Sequence, residues 1–157
     1  MSTNLKRRIF LKGSLASGVV TAAVGAGLLT PQAVLAAWPK AAFEAKKVDD
    51  ALSNLLGGSA TENSDAIVIK APDIAENGAV VPVTVSTDMA AESISIIADE
   101  NPSPLAAAFN LAANAEGYVS TRIKMGKTGN VVAVVKSGGK LYSSTKGVKV
   151  TIGGCGG

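Results

Sequence analysis

The chain has 157 residues, contains no histidine, and has a single cysteine, Cys155. These counts exclude, within this chain, an intramolecular disulfide, Cys-x-x-Cys-His haem attachment, His/Cys zinc sites and Cys–His or Ser–His catalysis. The formal net charge of +3 suggests nucleic-acid binding only until the amino-terminal segment is set apart.

Residues 1–36 have the features of a bacterial export signal. Residues 6–12, Lys-Arg-Arg-Ile-Phe-Leu-Lys, resemble a twin-arginine signal, and a weakly apolar run over 13–29 leads to small residues at 33–36. The alternative is a membrane anchor, but the run is glycine-rich and short of the roughly 20 residues that a span needs. Four of the 15 basic residues lie in this segment, which leaves 11 basic and 12 acidic residues, a net charge of −1. We therefore expect a periplasmic protein that contacts neither nucleic acid nor, after cleavage, a membrane.

Residues 37–58 are predicted to be an amino-terminal helical segment. Apolar residues recur at helical spacing over 41–56, and Gly57-Gly58 ends the pattern. We expect this helix to cover the core of the following domain.

From residue 59 to 152 the pattern changes to short strands. They are predicted at 67–69, 80–85, 93–98, 118–125, 131–135, 141–145 and 148–152, while the alanine-rich stretch 105–111 fits a strand or a helix. Pro82 indicates an edge or a bulge, and the two prolines within 101–104 indicate a turn. The expected fold is mainly β, an immunoglobulin-like antiparallel β-sandwich.

Charge is distributed unevenly along the chain. Residues 37–116 contain all 12 acidic residues and four lysines, whereas 117–157 contain seven basic residues and no acidic one. The cationic half suits an anionic substrate or an acidic partner and favours the thiolate form of the cysteine. The alternative is that these lysines only solvate the outer faces of strands.

The tail consists of Cys155 flanked by Gly153, Gly154, Gly156 and Gly157. Glycine adds no side-chain bulk and allows many backbone conformations, so we expect a flexible arm with an exposed thiol. Three hypotheses follow. The thiol carries a substrate, the Gly157 carboxylate carries it as in ubiquitin-like sulfur carriers, or Cys155 joins a structural domain to another molecule through an intermolecular disulfide.

The leader, the Asn101-Pro102-Ser103-Pro104 stretch, residues 120–124 and above all the Gly-Gly-Cys-Gly-Gly end resemble the SoxY family, the sulfur carriers of the periplasmic Sox system. This resemblance implies that Cys155 covalently carries intermediates of thiosulfate oxidation, with no catalytic residue, metal or cofactor in the chain itself. It implies a heterodimer with a SoxZ-like subunit. The enzymes implied to act on the arm are a haem-containing cytochrome, a sulfate-releasing thiohydrolase and, in some organisms, a sulfane dehydrogenase.

Overall fold

The computed structural model of the chain describes residues 39–151. The predicted export signal, 1–36, and the residues after Thr151 lie outside this range.

The predicted helix over 41–56 is divided into two helices, α1 Lys40–Glu44 and α2 Val48–Leu56. Ala45 and Lys47 between them have extended backbone, with ψ of 144° and 148°. The sequence holds a second helix start that periodicity alone does not reveal, since Asp49 and Asp50 fall in the first turn of α2, where carboxylates interact favourably with the helix dipole.

The glycine stop is confirmed. Gly57 adopts a left-handed conformation (φ 81°) and donates its N–H to Ser53 O at 3.0 Å.

Nine strands follow within the described residues. They are β1 Glu62–Asn63, β2 Ile67–Lys70, β3 Ile74–Ala75, β4 Val81–Thr87, β5 Ser93–Ala98, β6 Leu105–Asn110, β7 Tyr118–Ile123, β8 Gly129–Ser137 and β9 Lys140–Val150. The ambiguous stretch 105–111 is thus a strand, and the two strands predicted at 141–145 and 148–152 form one strand, β9. Gly147 does not interrupt it, because pairing with β8 continues from Lys140 to Val148.

The strands form two sheets. The large sheet has the order β1-β9-β8-β5-β6, with β3 also paired to β9, and the small sheet has the order β2-β4-β7. All pairings are antiparallel except those of β1 and β3, which run parallel to β9. The predicted mainly-β, immunoglobulin-like sandwich is confirmed.

Pro82 lies in β4, the central strand of the small sheet, rather than in an edge strand. It is tolerated because the pairing of β2 with β4 ends at Lys70↔Thr84, so Pro82 has a paired neighbour only on the β7 side. Locally, this position behaves as an edge.

The large sheet is covered on both faces. Toward the small sheet, Ile94, Ile96 and Val135 belong to the main core, while on the other face Ile97 and Val134 pack with Leu52 of α2. Because both faces are buried, every residue of β5 is buried. The molecule therefore has three layers in this range, with the helices on one side of the large sheet and the small sheet on the other.

The segment from β1 to β3 holds β9 near both of its ends. β1 pairs with Tyr142 and Ser143 near the start of β9, and β3 pairs with Lys149 and Val150 at its carboxyl end. The last strand of the described chain is therefore a fixed element, and it points toward the tail.

Candidate functional site

The predicted site residues, Cys155 and Gly153, Gly154, Gly156 and Gly157, lie outside the described residues. What the structure describes is the point from which the tail leaves the domain. We call residues 149–151, at the end of β9, the arm base.

The first side of the arm base is held by the backbone at β3. Lys149 N donates to Asp73 O at 2.9 Å, and Thr151 N donates to Ala75 O at 3.1 Å. The hydroxyl of Thr151 also donates to Ala75 O, at 3.4 Å. The ordered ladder on this side thus reaches the last described residue.

The second side is held by a side chain. Backbone pairing between β8 and β9 stops at Gly129↔Val148, and the hydroxyl of Thr128 takes the next place. Thr128 Oγ1 accepts the N–H of Val150 at 2.9 Å and donates to the carbonyl of Val150 at 3.3 Å. One hydroxyl makes both bonds because it has one hydrogen and two lone pairs.

The loop that carries Thr128 is itself fixed by a side chain. Asn101 donates from Nδ2 to Lys124 O at 2.7 Å and accepts the N–H of Gly126 at Oδ1 at 2.9 Å. Met125, between these two contacts, is buried and donates its N–H to Gly78 O at 2.7 Å. The predicted turn at Asn101-Pro102-Ser103-Pro104 therefore also orders the loop beside the arm base.

Gly78 packs closely against the arm base. A Cβ on this residue would lie 2.4 Å from Met125 O and 2.8 Å from Val150 Cγ1. Only glycine fits this contact without a shift of its neighbours.

The cationic half of the sequence is partly neutralised in the fold. Near the arm base, Lys146 Nζ lies 2.8 Å from Asp73 Oδ1. The hydrogen bond from Lys146, together with its charge, lowers the pKa of Asp73 below the ordinary value of 3.8. At the other end of the sheet, Lys136 and Lys140 pair with acidic residues of the preceding half, Glu92 at 3.7 Å and Glu62 at 3.4 Å.

Three exposed lysines remain at the arm-base end. Lys124, Lys127 and Lys149 have no carboxylate oxygen within 4.0 Å in the part of the chain that the structure describes. The excess positive charge near the tail is therefore smaller than the sequence suggests, and it rests on these lysines.

A groove of about 730 Å³ lies away from the arm base, beside Gly57, Thr61 and Lys140. From Leu141 to Val150 the strand extends about 30 Å at the usual rise of a β-strand. Cys155 is four residues beyond Thr151, a reach of about 14 Å when fully extended. The groove is thus out of range of the thiol of the same chain.

Two absences concern the described range alone. Over residues 39–151 there is no group of three or more acidic, histidine or cysteine side chains placed to hold a metal ion. None of the helices described is long and apolar enough to cross a membrane.

Sequence reasoning predicted the tail but not the residues that hold its base. Thr128 was placed in a turn, and Ala75 was assigned to no strand. Both contacts join residues 22 and 76 positions apart, and a two-residue parallel strand leaves no periodic signal in the sequence.

Comparison with known proteins gives a consistent result. A family model described as "Sulfur oxidation protein SoxY" matches residues 52–155, a range that includes Cys155. The solved structure of the sulfur carrier protein SoxY from Chlorobium limicola f thiosulfatophilum is 50% identical, with a TM-score of 0.61, and the match covers 68% of this chain and 97% of that one. No curated protein sequence gave a match.

A more distant likeness concerns the fold alone. The superoxide reductase (neelaredoxin) from Ignicoccus hospitalis has 17% identity and a TM-score of 0.51, with 58% of this chain and 95% of that chain covered. We draw nothing from it about chemistry.

The three layers and the fixed last strand define a small immunoglobulin-like β-sandwich whose carboxyl end leads directly into a tail with the chain's single cysteine. The family match and the half-identical solved structure make the assignment more specific. The chain belongs to the SoxY family of sulfur carrier proteins.

Proposed function

We propose that this chain carries sulfur intermediates of thiosulfate oxidation as covalent adducts on the Cys155 thiol. The observation that carries this proposal is that the family match runs through residue 155, the position of the only cysteine. The arm base supports it, because a strand held on both sides provides a fixed point for a tail of small residues.

The chemistry needs only a soft nucleophile that forms reversible sulfur–sulfur bonds. In the loading step, the Cys155 thiol and thiosulfate join through a new S–S bond, and one proton and two electrons leave. A haem-containing cytochrome of the Sox system accepts the electrons. A thiolate is the reacting form, and at an ordinary pKa of about 8.5 a few per cent of a cysteine is ionised at neutral pH.

In the next step water cleaves the bond between the terminal sulfonate and its neighbouring sulfur. Sulfate and a proton leave, and a persulfide remains on Cys155. A thiohydrolase performs this step, and in organisms that have one, a sulfane dehydrogenase oxidises the remaining sulfur. The carrier supplies no acid, base or metal, in agreement with a chain that lacks histidine.

The proposal includes a heterodimer with a SoxZ-like subunit and a periplasmic location reached by the twin-arginine pathway. The basis for the location is the leader, residues 1–36. Replacing Arg7 and Arg8 together by lysine should retain the precursor in the cytoplasm, whereas normal export of that variant would contradict the assignment of the pathway. Co-purification of the mature chain with a coexpressed SoxZ-like subunit tests the heterodimer.

A pair of tail variants tests the carrier function. In a reconstituted Sox system, Cys155→Ser should abolish thiosulfate-dependent electron transfer, because the hydroxyl forms no sulfur–sulfur bond. Gly156→Ala, the control, keeps the thiol and should retain activity. Full activity of Cys155→Ser would overturn the proposal and favour loading at the Gly157 carboxylate.

A further inference from the structure

We infer that Thr128 is a positioning residue that sets where the tail begins to move, and therefore how far Cys155 reaches from the domain. The inference rests on the proposed carrier function for its purpose and on the arm base for its geometry.

Thr128 stands where the backbone of β8 no longer pairs with β9. The regular ladder ends at Val148, which is buried, yet Val150 remains bonded on that side through the Thr128 hydroxyl at 2.9 and 3.3 Å. This single side chain extends two-sided pairing of β9 by two residues.

The position of the pivot fixes the reach of the thiol. With Thr151 as the last held residue, Cys155 follows after four residues, and with Val148 as the last one it follows after seven. At 3.3–3.6 Å for each extended residue, the maximum reach changes from about 14 Å to about 24 Å. A carrier whose thiol must enter the active sites of several enzymes gains a defined search volume from the shorter arm.

Thr128 is suited to this test because its side chain is exposed. The substitution Thr128→Val keeps the shape of the side chain, removes the hydroxyl and leaves the buried core unchanged. Thr128→Ser keeps the hydroxyl and serves as the rescue variant. Thr145→Val is the matched control, since Thr145 is exposed on the same strand and has no side-chain hydrogen bond among the described residues.

The first measurement is amide hydrogen exchange of the full chain, which does not depend on sulfur chemistry. Thr128→Val should lower the protection of the Val150 amide about tenfold, the scale of one lost hydrogen bond. Thr128→Ser and Thr145→Val should stay close to the parent. A nitroxide label on Cys155 should become more mobile only in Thr128→Val.

The second measurement separates positioning from stability. In the reconstituted system, Thr128→Val should lower kcat for loading by about twofold with KM unchanged, because the local concentration of a tethered group falls as roughly the −3/2 power of tether length. Insertion of two glycines after Gly154 should reproduce this kcat without altering exchange at Val150, since it lengthens the arm below an intact base.

The outcomes are distinct. Unchanged exchange at Val150 in Thr128→Val would overturn the inference at its first step. Altered exchange with unchanged label mobility and kcat would make Thr128 a structural residue only, and the positioning role would be wrong. If neither parent nor variant is loaded although exchange and label mobility change as expected, the arm base stands and the carrier function fails.

Discussion

Substitution of Gly78 by alanine should disturb the arm base from a distance in sequence. The added Cβ would lie 2.4 Å from Met125 O and 2.8 Å from Val150 Cγ1. The first neighbour is a backbone atom that cannot rotate away, and Met125, which donates to Gly78 O at 2.7 Å, is buried. Relief therefore requires a shift of the loop, and overpacking of this kind costs about 1–3 kcal/mol.

The magnitude is measurable by thermal unfolding. For a domain of this size, 1 kcal/mol corresponds to a change in Tm of roughly 5 °C, so Gly78→Ala should lower Tm by about 5–15 °C. The matched control is Gly58→Ala, where a Cβ meets no atom within 4 Å and φ is not positive. That variant should stay within about 2 °C of the parent, or be slightly more stable.

Gly78→Ala should also increase hydrogen exchange at Val150, since the displaced atoms include its side chain. If Gly78→Ala and Gly58→Ala have the same Tm and the same exchange at Val150, the close packing of Gly78 on the arm base is wrong.

The remaining predictions address charge, the core and the tail. Because the pKa of Asp73 is lowered in the folded state, its ion pair with Lys146 adds stability above the unfolded pKa and loses it as pH falls through the folded pKa; urea midpoints of the parent and Asp73→Asn should differ at pH 7 and converge below pH 3.8, and a pH-independent difference would contradict this. Ser95 is buried and its hydroxyl has no partner among the described residues, so Ser95→Ala should be neutral or more stable by about 1 kcal/mol in urea unfolding; a clear loss of stability would show that the hydroxyl is bonded. Cys155→Ser should leave Tm unchanged within about 1 °C, because Cys155 follows the last held strand; a large decrease would mean that the cysteine is packed.

Local signals in the sequence predicted much of the fold. β5 lies where the apolar run 93–98 placed it, and the glycine stop after α2 is confirmed. The predicted turn at residues 137–139 is a two-residue hairpin loop, in which Gly138 and Gly139 have φ of 57° and 77°, as the hairpin geometry requires. These features depend on residues close together in the chain, so composition and period reveal them.

The features that depend on distant contacts were not predictable. The parallel pairing of β1 and β3 with β9 brings residues about 75 or more positions apart together, and the sequence contains no periodic trace of it. The contrast between an acidic first part and a basic last part suggested a strongly cationic end. The fold instead pairs Lys136, Lys140 and Lys146 with acidic residues from the first part.

The candidate site divides in the same way. The Gly-Gly-Cys-Gly-Gly end is read directly from the sequence, and the family match extends to its cysteine. Thr128, Asn101 and Ala75, which hold the arm base, are common residue types in ordinary loops. Their roles follow only from where the fold places them.

The most direct test of the carrier function is mass spectrometry of the carboxyl-terminal tryptic peptide during thiosulfate turnover without reductant. Cleavage after Lys149 releases residues 150–157, which contain both the only thiol and the terminal carboxylate. We expect thiosulfate and persulfide adducts that fragmentation assigns to Cys155 and that a reducing agent removes. A bare thiol throughout turnover, or mass located on the Gly157 carboxylate, would contradict the proposal that Cys155 carries the sulfur.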